Sequence, residues 1–112
     1  MHTGKPVSQF DKPTLVECMG FPGRDRRINI PLEIGLYYVT FGVLLLDDHS
    51  GTKIQIFAHK HDSDAQLINM DILQEWIDGR GRRPVTWATL TEVLRECDLT
   101  VLASEIEASK GT

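Results

Sequence analysis

A chain of 112 residues, 41% hydrophobic and 25% charged, has the size and composition of one globular domain with one core. Its net charge of −4 offers phosphate backbones and anionic lipid no global attraction, so binding to either would have to rest on a local basic patch. The most apolar stretch, Ile34 to Leu46, is interrupted by Gly35 and Gly42 and falls short of the ~20 residues a membrane-spanning helix needs, which excludes membrane insertion through it.

Residues 1–27 carry Pro6, Pro13 and Pro22 with Gly4, Gly20 and Gly23, then the basic run Arg24-Asp25-Arg26-Arg27, and read as an arm or linker. Within it Asp11 precedes Pro13, Thr14 and Glu17 have capping-box spacing, and Gly20 follows Met19 as a stop. One or two helical turns over 13–19 therefore compete with plain disorder, since so short a helix forms only if Leu15, Val16 and Met19 dock on the main domain. Cys18 and Cys97 stand outside any C-x-x-C pair and beside no secretory signal, so free thiols in a reducing cytoplasm are expected, Cys97 on a helix face and Cys18 incidental, with a disulfide between them as the alternative.

From Ile28 onward the punctuation becomes regular and six short helices are expected over residues 28–108. Pro31 opens the first, which Gly35 bends or ends. The second, Leu36 to Leu46, places Tyr38, Phe41 and Leu45 at steps of three and four. A dense run such as Tyr37-Tyr38-Val39-Thr40-Phe41 also suits a strand, and periodicity does not separate the two. Helix is expected because the rest of the chain offers few strand partners.

After the turn Asp47-Asp48-His49-Ser50-Gly51, Lys53 to His59 forms a third helix on Ile54, Ile56 and Phe57. Asp62, Ser63 and Asp64 are cap candidates for the fourth, Ala65 to Ile77, whose Ile68, Ile72, Leu73, Trp76 and Ile77 share a broad face and which Gly79 stops. Thr86 caps the fifth, with Trp87, Leu90, Leu94 and Cys97 on one stripe. Asp98 caps the sixth, with Leu99, Leu102, Ala103 and Ile106, and residues 109–112 are a frayed tail.

These stripes, in this order, resemble a death domain from about Ile30 to Ala108. The resemblance is carried by Glu33-Ile34-Gly35 followed by Tyr38, Phe41-Gly42 and Leu44-Leu45; by Ile72-Leu73-Gln74-Glu75-Trp76; by Thr86-Trp87 with Leu90 and Leu94; and by Leu102-Ala103 with Ile106. It implies an all-α, six-helix antiparallel Greek-key bundle acting in apoptotic or innate-immune signalling. Two departures stand out: Tyr37 or Tyr38 replaces the family's tryptophan early in the second helix, and the 27-residue arm has no family counterpart.

No constellation points to catalysis, a cofactor, a metal or a small-molecule substrate, and the chain is not expected to be an enzyme. In His59-Lys60-His61-Asp62 the imidazoles cannot share one helix face, and no further ligand completes a zinc set, so a solvated helix end is expected. Gly79-Arg80-Gly81 lacks the third glycine and preceding strand of a dinucleotide fingerprint. Asp47-Asp48 reads as a pair of solvated turn residues.

Arg80, Arg82 and Arg83, on the loop between the fourth and fifth helices, are either a solubilising loop or a bidentate donor surface for carboxylates of a partner. Glu92, Glu96, Asp98, Glu105 and Glu107 load the last two helices with negative charge. Two complementary patches on one domain permit head-to-tail contact, which agrees with the resemblance: death domains cluster with other death-fold domains, copies of themselves included, through charged surfaces. The alternative is a helical nucleic-acid binder using Arg24-Asp25-Arg26-Arg27 and the Arg80 loop.

Overall fold

The computed structural model describes residues 12–110; Asp11, Gly111 and Thr112 lie outside the described residues. Thr14 opens α1 (Leu15–Met19) by accepting the Glu17 N–H at 3.1 Å on its hydroxyl. Cys18 faces inward and is fully buried, Leu15 packs beside it, and Val16 points to solvent. The chain then makes a small antiparallel hairpin, β1 (Phe21–Pro22) against β2 (Arg27–Ile28), with Phe21 opposite Ile28. Gly23 shapes its turn, because a Cβ there would come within 2.6 Å of the Ile28 side chain and 2.8 Å of the Arg26 carbonyl. Cys18 and Phe21, both within the region read as an arm, thus belong to the core, so the division at residue 27 does not separate a solvated linker from a packed domain.

Asn29 caps α2 (Ile30–Ile34), its side chain accepting the Leu32 N–H, and Pro31 sits in the first turn where its missing N–H costs nothing. Gly35, at φ +53°, ends that helix and leads through a 3-10 turn over Gly35–Tyr37 into α3 (Tyr38–Leu46). The dense apolar run is therefore helical, not a strand, and starts two residues later than its pattern suggests. The glycine and the tighter turn reset the helical phase, leaving Leu36 83% and Tyr37 58% exposed. Tyr38 reaches only a half-buried position at the core's edge, so neither tyrosine fills the interior as expected.

Helices α4 (Thr52–Lys60), α5 (Ala65–Ile77), α6 (Trp87–Glu96) and α7 (Thr100–Lys110) complete the fold. Asp64 and Thr86 cap α5 and α6, accepting the N–H groups of Leu67 and Thr89. The Asp48 carboxylate stands in for a cap at α4, accepting from the Ser50 hydroxyl at 2.8 Å and the Lys53 N–H at 3.0 Å, and these bonds hold it below the usual carboxylate range. The last helix runs through Lys110, past the point where a frayed tail was expected to begin.

Helix ends carry a second correction. Asp98 does not cap α7: at φ +63° it closes α6, its N–H donating to the Arg95 carbonyl at 3.0 Å while the Leu99 N–H reaches Leu94 at 2.9 Å. This is the Schellman arrangement, which Gly79 provides at the end of α5 and Asp62 at the end of α4. A non-glycine residue in left-handed backbone carries a strain of about 1 kcal/mol. Asp98→Gly is expected to raise the melting temperature by roughly 5 °C. A true N-cap aspartate would instead lose stability on that change, so a fall in melting temperature would restore the original assignment.

Helix α5 is the central element, packing against α1, α2, α3 and α4, while α6 packs against α3 and α7. The buried core includes Phe41, Leu45, Ile72, Leu73, Trp76, Trp87, Leu90, Leu94, Leu102 and Ile106, each placed inward by its stripe. Gly42 lets the helices close, since a Cβ there would meet Ile54 at 2.6 Å and Ile72 at 2.9 Å. Asn69, on α5, is fully buried and donates its amide to the carbonyls of Pro31 and Gly35, both at 3.0 Å, fastening the end of α2 to the central helix. The Trp76 indole N–H donates to the Pro84 carbonyl at 3.2 Å, so the core also anchors the far end of the α5–α6 loop.

Candidate interaction surface

The three loop arginines do not act alike. Arg83 is turned back onto the domain: its Nε donates to the Leu44 carbonyl at 2.7 Å, satisfying an acceptor at the end of α3. Its Nη1 lies 3.3 Å from Glu92 and its Nη2 3.7 Å from Glu96, so one guanidinium ties α3 to α6. With its side chain only 28% exposed, Arg83 is a structural tether before it is a docking group.

Arg80 and Arg82 are different. Their side chains are 68% and 84% exposed, and their nearest acids, Glu75 at 3.6 Å and Asp47 at 3.9 Å, are at the long limit of an ion pair. Glu75 is also held by Lys53 at 2.8 Å, and Asp47 lies 3.0 Å from the exposed His49. Gly79 starts this loop, while the Trp76–Pro84 bond and Arg83 fix its far end, so two long cations project from a backbone held at both sides. Their fork geometry remains open to an external carboxylate.

The acids expected to form the complementary patch are dispersed. Glu92 and Glu96 sit beside Arg83, adjoining the basic loop instead of lying apart from it. Glu105 pairs with Arg26, which also grips Glu33 at 2.6 Å, and Glu107 pairs with Arg95. Asp98, exposed at the α6–α7 corner, has no ion-pair partner among the described residues, and Val101, one turn further on, is 74% exposed. Spacing along a sequence does not reveal which charges a fold consumes internally, and Arg83 and Glu105 are consumed here.

The same holds for the basic run of residues 24–27. Arg26 is committed to Glu33 and Glu105, and Arg27 donates to the Gly20 carbonyl at 3.2 Å, which pins the hairpin. These contacts occupy two of the cations on which phosphate binding was expected to rest, while Arg24, Arg80 and Arg82 remain exposed. His61, expected at a solvated helix end, is only 18% exposed and lies 2.8 Å from Asp71, an acid it shares with Lys60. Among the described residues no group of three or more His, Cys, Asp or Glu side chains could hold a metal ion, and no helix is long and apolar enough to cross a membrane.

A groove of about 530 Å³ runs between the hairpin turn and α7, lined by Arg24, Asp25, Thr100, Val101, Ser104 and Glu105. Its hydroxyls have no histidine beside them in the lining. Burial pushes the Cys18 thiol up to about 12 and that of Cys97 up to about 11, so neither is a thiolate nucleophile at neutral pH. In comparisons with known proteins, the chain matches no family model, no curated protein and no solved structure.

Proposed function

We propose that this chain is a protein-interaction module of the death-domain type, working in the cytoplasm by association with death-fold domains, copies of itself included. The observation that carries the reading is the pair Arg80 and Arg82: two exposed guanidinium groups on a loop that starts at Gly79 and whose far end is fixed by the Trp76–Pro84 bond and Arg83. Asp98 on another copy is the complementary acid, with the exposed Val101 adding apolar contact beside it. Donor and acceptor lie on different parts of one chain, so the contact is heterologous and adds copies head to tail. The helical order from α2 to α7 supports the family assignment, as do the inward stripes and the two buried tryptophans.

Each such ionic contact is worth only about 0–1 kcal/mol, so association is expected to be weak until several copies are held together. The double substitution Arg80→Glu with Arg82→Glu should abolish association measured by light scattering at high protein concentration, with melting temperature and helical spectrum unchanged. Association that survives this reversal would remove the basic loop from the interface. Binding to duplex DNA or RNA that weakens steeply with salt would instead favour the nucleic-acid reading.

A further inference from the structure

The carboxyl-terminal turn of α7 meets the amino-terminal helix through one side chain. Lys110 Nζ lies 4.8 Å from the centroid of the Phe21 ring and 4.9 Å from that of Trp87. It is also 3.2 Å from Glu17 Oε2. The two rings meet edge to face, with centroids 5.8 Å apart, so amine, carboxylate and aromatic pair form one contact drawn from α7, α1, β1 and α6. The lysine side chain is 21% exposed, and a cation so far removed from water is attracted to ring faces more strongly than one at the surface.

We propose that Lys110 is a charge-dependent latch that holds α1 closed over the core, and that neutralising this one amine releases α1 and uncovers Cys18. Helix α1 is otherwise held by apolar packing, with Cys18 fully buried and Leu15 against the core. It is a single short helix that forms only because it packs, its Val16 faces solvent, and the Lys110–Glu17 bridge is its one ion pair among the described residues. The core built from α2 to α7 contains its own buried residues on every helix, so α1 can open without the bundle unfolding. Opening exposes the fully buried Cys18 and the core-facing side of Leu15. This inference is independent of how Arg80 and Arg82 are used.

Cys18 reports the latch directly, because it is fully buried when α1 is docked. The whole chain is treated with N-ethylmaleimide under native conditions, and the modification of Cys18 and of Cys97 is followed separately by peptide mass spectrometry. Lys110→Gln is expected to speed labelling of Cys18 about tenfold, with Cys97 unchanged and Lys110→Arg close to wild type. Glu17→Gln should shift Cys18 in the same direction by a smaller factor. Cys18 labelling that is unchanged in Lys110→Gln overturns the proposal, as does a parallel rise at both cysteines, which would mean that the whole domain had loosened.

Discussion

Trp76→Ala should leave the domain close to unfolded at room temperature. The indole is completely buried on the central helix, and truncating a tryptophan in a core removes about 3–5 kcal/mol. A domain of this size holds only ~5–15 kcal/mol in total. The loss is not only apolar. Without the indole N–H the Pro84 carbonyl keeps only the Thr86 N–H as donor, and the loop that presents Arg80 and Arg82 loses its tie to the central helix. Denaturant unfolding followed by circular dichroism measures the effect, with Trp76→Phe as the milder comparison because it keeps most of the ring volume but not the hydrogen bond. A variant that unfolds at nearly the wild-type denaturant concentration would show that α5 does not organise the core.

The second large effect falls on a residue whose sequence context suggested a surface role. Arg83→Glu should destabilise the fold by about 2–3 kcal/mol, through loss of a charged hydrogen bond to the Leu44 carbonyl and the approach of a new carboxylate to Glu92 and Glu96. Arg82→Glu, at a side chain 84% exposed, should change stability by no more than about 0.5 kcal/mol. Arg83→Lys should fall between them, keeping the charge but not the planar fork that reaches a carbonyl and two acids together. Equal melting temperatures for Arg82→Glu and Arg83→Glu would remove the tether. Association lost in an Arg83 variant would thus reflect a displaced loop as much as a missing contact, which is why Arg80 and Arg82 are the positions that test the interface.

The division between these neighbouring arginines illustrates what was legible and what was not. Helix positions followed from local rules: Thr86 and Asp64 cap where their side chains can reach the third amide onward, Gly79 stops α5 in the left-handed conformation, and the spacing of Trp87, Leu90 and Leu94 points one face inward. Asp98 misled because aspartate serves two opposite purposes, capping a helix that follows or closing one that precedes, and the choice depends on backbone geometry that composition does not encode. Tyr37 misled because the left-handed Gly35 shifts the phase of the next helix.

Two buried features lay outside any periodic signal. Asn69 sits on the inner face of α5, where a polar residue weakens the apolar pattern, yet it binds carbonyls more than thirty residues away in sequence. Cys18 and Phe21 occur among prolines and glycines that suggest an arm, and they enter the core because the hairpin and Lys110 bring them there.

Hydrophobic period, capping and turn chemistry act over one or two helical turns, so the helical class, the order of the elements from α2 to α7 and most of the interior can be read from neighbouring residues. Which charges remain unengaged depends on how the helices pack. Arg83, Arg26, Glu105 and Lys110 are spent on contacts inside the molecule, while Arg80, Arg82 and Asp98 face outward. The physical reason is one of range: an ion pair forms between residues that the folded chain brings within about 4 Å, whatever their separation in sequence, and a list of charged residues carries no record of those distances.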